Sequence, residues 1–103
     1  MDNELIQFEK DDKHCVLFVQ GDVDLSNSSQ LRKTILSALK TSPEVAVHLS
    51  QVSYIDSSGI AALVEGLQYA NSHDKRFYLK NLSPHVQSII ELARLDQVFT
   101  IET

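Results

Sequence analysis

Along this chain the spacing of apolar residues changes several times, and each change marks a new element. "LIQFEK" reads as a short strand, with "DDK" as the hairpin-like turn after it. "HCVLFVQ" is dense in Val, Phe and Leu with little polar alternation, the pattern of a strand covered on both faces, and Gly21 is expected to end it. After "GDVD" the spacing becomes helical. Leu31, Ile35, Ala38 and Leu39 fall at i, i+4, i+7 and i+8, one stripe of a helix. The Ser and Asn residues ahead of that stripe offer several N-caps, and "TSP" closes the helix.

"EVAVHLS" then alternates Val45, Val47 and Leu49 with Ala46, His48 and Ser50, a strand that continues through Val52 to Ile55. From Ser57 the period changes again, and Ile60, Leu63, Val64 and Leu67 predict the apolar stripe of a second helix. "NSHDK" reads as a loop and "RFYLK" as a strand. Ser83 followed by Pro84 opens a third helix over "HVQSIIELARL", with Val86, Ile89, Ile90 and Ala93 on one face. "VFTIE" is a candidate final strand. The order β-β-α-β-α-β-α with a possible last β predicts an α/β fold. Its sheet is small and mainly parallel or mixed, with helices placed against it by right-handed crossovers. Nothing repeats, and 103 residues are expected to form one domain, 1–103.

Composition narrows the function classes. The formal charge is −5, and the imbalance sits in the first thirty residues, where Asp2, Glu4, Glu9, Asp11, Asp12, Asp22 and Asp24 face only Lys10 and Lys13. That balance lacks the basic face needed to hold nucleic-acid phosphates; "HDKRFYLK" is the one basic cluster and reads as a solvated turn entering a strand. No apolar run is long enough to span a bilayer, and "MDNELIQFEK" has no signal-peptide pattern, so a cytoplasmic location is expected. The one cysteine, Cys15, lies in an apolar run and reads as a small core residue. The four histidines show no metal-ligand spacing, and neither a metal nor a cofactor is expected.

The candidate chemistry lies in two turns expected to meet beyond the carboxyl ends of the strands: "GDVDLSN" and "IDSSGI". The second brings Ser57 and Ser58 to the start of a helix, where unpaired N–H groups and the helix dipole favour an anion. A phosphate there would add about −1.5 to −2 charges at pH 7. Beside Asp56 and Asp24 that charge would alter a docking surface without refolding the chain. Gly59 would admit a partner's backbone or let the turn enter the helix tightly. Structural helix caps alone would also explain Asp-Ser-Ser-Gly, and residue chemistry leaves both readings open. A nucleophilic serine would need a positioned base and an oxyanion site. The turn is not a Gly-x-Ser-x-Gly elbow, and only His48 could approach through space, so a non-enzymatic role is expected. Gly21 and Gly59 stand alone, so no glycine loop cradles a phosphate.

"VSYIDSSGIAAL" resembles the signature of the STAS domain, the fold of bacterial anti-sigma factor antagonists. "VQGDVDLSNSSQLRKTI" resembles that family's loop before its first helix, and "KRFYLKNLSPHVQSIIELARLDQVFTI" its closing strand, helix and ending. The resemblance implies phosphorylation of the second serine, Ser58, by an anti-sigma factor that is also a serine kinase, with a phosphatase reversing it. The unphosphorylated form would bind that kinase and free the sigma factor. Gly21, Asp22, Asp24, Asp56, Ser57, Ser58 and Gly59 would border the docking surface. Where many antagonists continue Leu-Gly, this chain has Ile60-Ala61-Ala62. "GIAALVEGL" and "IIELARLDQVF" also resemble STAS subunits of lipid-transporting ABC complexes, whose partners would be permease and ATPase subunits.

Overall fold

The computed structural model describes residues 5–103, so Asp2 and Glu4 of the acidic opening stretch lie outside the described residues. In chain order it contains β1 (Ile6–Lys10), β2 (His14–Val23), α1 (Ser28–Thr41), β3 (Glu44–Ile55), α2 (Ser57–Ser72), β4 (Arg76–Lys80), α3 (Pro84–Leu92), a 3-10 turn (Leu95–Gln97) and β5 (Ile101–Glu102). The strands form one sheet in the order β1-β2-β3-β4-β5. β1 runs antiparallel to β2, and the other three pairings are parallel. This is the mixed α/β sheet expected from the element order.

Local chemistry explains most boundaries. Asp11 folds the β1–β2 hairpin by accepting the Lys13 and His14 N–H groups on one carboxylate oxygen, each at 2.8 Å. Ser83 caps α3, its hydroxyl accepting the Val86 N–H at 3.3 Å with Pro84 in the first turn. The core lies between the sheet and the layer formed by α1 and α2, which pack on each other. Val45, Val47 and Leu49 of β3 meet Leu31, Ile35 and Leu39 of α1 in that core, and none of them has measurable exposure. α3 packs beside β3, and the Ser83 N–H donates to the Leu49 carbonyl at 3.2 Å.

Six expectations need correction. Gly21 does not end β2. It adopts φ +86° inside the strand, at an irregularity in the β2–β3 register, and pairing resumes to Val23. A glycine marks a bulge as readily as a stop, because both exploit its freedom at positive φ. β2 is also not covered on both faces: Cys15, Leu17 and Val19 are buried, whereas Val16 and Phe18 on the other face are half-buried. In α2 the fully buried residues are Gly59, Ala62, Leu63, Gly66 and Ala70, while Ile60, Val64 and Leu67 lie at the margin. α2 runs to Ser72, so its last turn occupies the first part of the expected "NSHDK" loop. Finally, Ala93 is exposed beyond the end of α3, and the last strand keeps only Ile101 and Glu102 of "VFTIE".

The closeness of α2 follows from its small residues. A Cβ on Gly66 would lie 2.6 Å from Ile35 Cγ2 and 3.0 Å from the Phe77 ring. A Cβ on Gly59 would lie 2.6 Å from Ile55 Cγ1 and 2.8 Å from Val23 Cγ1. Both glycines therefore serve the approach of helix to helix and helix to strand, and Gly59 seats the start of α2 on the ends of β2 and β3.

Candidate functional site at the Asp56–Ser58 turn

β2 and β3 are neighbouring parallel strands, so the turns that leave their carboxyl ends emerge side by side. The two are bonded together: the Asp56 N–H donates to the Val23 carbonyl at 3.1 Å. The expected meeting of "GDVDLSN" and "IDSSGI" therefore rests on the pairing of β2 with β3 and on this hydrogen bond.

Asp56 is the N-cap of α2. Its Oδ1 accepts the Ser58 N–H at 2.9 Å, the Gly59 N–H at 3.2 Å and the Ser58 hydroxyl at 2.6 Å. These donors, led by the Ser58 hydroxyl, hold the Asp56 carboxyl below the ordinary aspartate range. The arrangement revises the anion-site expectation. Two of the first three helical N–H groups already belong to Asp56, so a phosphate on Ser58 would meet an occupied, negatively charged cap. Ser58 is half-buried with its Oγ aimed at Asp56, whereas Ser57, one position earlier, is exposed.

The opposite turn is organised by its own polar groups. Asp24 Oδ1 accepts the Ser26 N–H at 3.0 Å and the Ser26 hydroxyl at 2.5 Å. The Asn27 side chain is turned back, accepting the Asp24 N–H at 2.9 Å and donating to the Asp22 carbonyl at 2.9 Å. Asn27, although it stands at the N-cap position of α1, makes no side-chain cap bond. The Asp24 carbonyl instead accepts the Asn27 and Ser28 N–H groups at 3.1 and 2.8 Å. The effect is a hydrogen-bonded loop that carries Asp24 next to the β3–α2 turn, while Asp22 precedes it in β2, paired across from Tyr54. Gly21 shapes this loop from within β2 through its positive φ, and Gly59 lies buried beneath the serines.

One residue of this surface escaped the sequence reading. Leu25 is 81% exposed in the β2–α1 turn. A single leucine among Asp, Ser and Asn has no periodicity to betray it. Tyr54, paired across from Asp22 in the β2–β3 register, is 45% exposed and faces His85 with ring centroids 5.3 Å apart. His48 does not approach the serines. It lies seven residues before Ile55, the end of β3, its ring nitrogens set against Asn81 Nδ2 at 2.8 Å and Ser50 Oγ at 3.3 Å. Cys15 is buried, and burial pushes its thiol up. Among the described residues no His, Cys, Asp and Glu group is arranged to hold a metal, and no helix is long and apolar enough to cross a membrane.

Comparison with known proteins places this geometry. The family model that matches, described as "Mlab, STAS domain", covers residues 6–102. The anti-sigma-B factor antagonist of Staphylococcus aureus (strain NCTC 8325 / PS 47) is 25% identical over 97 residues, which is 93% of this chain and 90% of that protein. The solved structure of the anti-sigma factor antagonist SpoIIAA in its unphosphorylated form superposes with a TM-score of 0.80 at 22% identity, covering 95% of this chain and 88% of that one. The Bacillus cell fate determinant SpoIIAA in its phosphorylated form gives a TM-score of 0.75 at 21% identity, covering 95% and 91%. With a family match over almost every described residue and the same fold in both structures, the chain belongs to the STAS domain family.

Proposed function

We propose that this chain is an anti-sigma factor antagonist acting by partner switching in the cytoplasm: unmodified, it binds a cognate anti-sigma factor that is also a serine kinase, and phosphate on Ser58 releases it. The observation that carries this reading is the 2.6 Å bond from the Ser58 hydroxyl to Asp56 within an acidic, two-turn surface. A relative named an anti-sigma-B factor antagonist, and a fold shared with unphosphorylated and phosphorylated SpoIIAA, support it.

The turn suits an acceptor. A kinase would transfer the phosphoryl group of its ATP to Ser58 Oγ, releasing ADP while the hydroxyl proton departs. Asp56, with its carboxyl held low, is a weak base, so its part is to aim the oxygen rather than to take the proton. Afterwards the hydroxyl donor is gone, and about −1.5 to −2 charges stand against the Asp56 carboxylate. Asp24 adds to the repulsion from the neighbouring turn. The chain acts as a binding surface, the reaction is the kinase's, and a phosphatase resets it.

The test is capture from the native host with tagged wild type, Ser58→Ala and Ser58→Asp, identified by mass spectrometry. The proposal expects a small kinase-type ATPase with the first two and its loss with Ser58→Asp. Permease and ABC ATPase subunits held equally by all three would overturn it in favour of a transporter subunit.

A further inference from the structure

At the far end of β2 from the serine turn, β1, β2 and α1 enclose an apolar groove of about 360 Å³. That is within the size range of small-molecule sites, about 300–1,000 Å³. We propose that it binds a single-chain anionic amphiphile, of the fatty-acid or alkyl-phosphate kind, with its acidic head at Lys10 and its chain lying over Leu17 and Phe8.

Three features of the groove point the same way. Its floor is Cys15 and Leu17, both buried, and the short side chain of Ala38 leaves the space over them unfilled. Phe8 lines the same groove from the edge strand and remains 64% exposed, an aromatic side chain with apolar surface left uncovered. Charge supplies the polarity of the ligand. In a chain of net charge −5, the charged groups lining this groove are Lys10 and Lys33, both positive.

Lys10 is the better placed of the two. Its ammonium donates to Thr41 Oγ1 at 3.0 Å, which ties the charge across the end of the groove from the sheet to the last turn of α1. Its field reaches Cys15 on the floor, where it opposes the effect of burial on the thiol. An ammonium has three protons, so two stay free to bind a carboxylate or phosphate oxygen while Thr41 holds the third. Lys33 lies eight residues before Thr41 on α1, about 12 Å along the helix axis. Its methylene stem there extends the apolar wall while its charge stays in water. The site does not involve Ser58, and it stands or falls separately from the switch.

Decanoate, decyl phosphate and decanol are the probes, each titrated below its micelle concentration into wild type, Lys10→Gln and Ser37→Phe. Amide chemical shifts locate the binding and calorimetry measures it. Ser37→Phe places an aromatic ring in the groove from the exposed side of α1, and thermal unfolding checks that both variants fold. The expectation is saturable one-to-one binding of at least one acid, with shifts on Phe8, Cys15, Leu17 and α1. Binding should weaken about tenfold in Lys10→Gln and vanish in Ser37→Phe, while decanol should not distinguish wild type from Lys10→Gln. Which acid binds more tightly identifies the headgroup. The proposal is overturned if neither acid saturates, if the shifts fall elsewhere, or if Lys10→Gln binds as wild type does. Sedimentation showing a dimer that buries these same residues would overturn it as well.

Discussion

One oxygen of Asp56 accepts three hydrogen bonds, and two consequences at the scale of the residue can be measured. The first concerns acid. Because the folded carboxyl titrates below its ordinary value, the stabilisation it gives is full above the ordinary carboxylate range and is lost as pH falls through the lowered folded value. The difference in melting temperature between wild type and Asp56→Asn should therefore shrink as pH drops below about 4. Curves that stay parallel down to acid would show that the cap carries no such linkage. The second consequence concerns Leu25. An exposed apolar side chain beside three acids costs the free protein nothing to lose, so Leu25→Ser should leave the melting temperature unchanged. It should weaken capture of the kinase partner about tenfold, the behaviour of a central interface contact. Equal affinities by calorimetry would remove Leu25 from the docking surface. Sequence reading brought Asp56, Ser57 and Ser58 to one helix start because caps and turns are local chemistry. It missed Leu25 because nothing local distinguishes a leucine that waits for a partner from one that is merely exposed.

At the scale of the element, α2 is the informative case. The large apolar residues from Ser57 mark Ile60, Leu63, Val64 and Leu67 as the inner face, and of these Leu63 is fully buried while the other three lie at its margin. The rest of the buried face is made of small residues, Gly59, Ala62, Gly66 and Ala70. Period alone ranks residues by hydrophobicity, whereas packing here is decided by how near two backbones must come. Gly66→Ala tests this, since its new methyl would sit 2.6 Å from Ile35 Cγ2. Overpacking of that kind costs about 1–3 kcal/mol, read as a lower urea midpoint with an unchanged slope. A stability equal to wild type would mean that α1 and α2 can separate freely. Removing the Ser83 cap of α3 by Ser83→Ala should cost about 1 kcal/mol, checked by the same denaturation. Gly21 teaches a related lesson: "VQGDV" signals an interruption, and only the register with β3 reveals that the strand resumes beyond it.

For the whole molecule, the order of elements was legible because each strand and helix announces its own period. The pairing order, with β1 antiparallel at one edge, follows from a hairpin and successive parallel crossovers. The extent of burial was not legible. β3 pairs with β4 only along Glu44–His48, and α3 packs beside β3, an arrangement that depends on distant contacts. This geometry concentrates Asp22, Asp24 and Asp56 at the carboxyl ends of β2 and β3, at one end of a chain whose net charge is −5. Association with a basic partner surface should accordingly slow as ionic strength rises, with dissociation little changed. An association rate indifferent to salt would argue against docking through these acids.

We propose that Ser58, and not its more exposed neighbour Ser57, is the switch. The most direct measurement is to incubate the protein with the captured kinase and ATP, map the phosphate by tandem mass spectrometry, and weigh partner binding before and after. The account predicts one phosphate per chain on Ser58, none in Ser58→Ala although Ser57 remains, and loss of the kinase from the modified form. Phosphate on Ser57 or Ser26, or a phosphorylated Ser58 that still holds the partner, would contradict it.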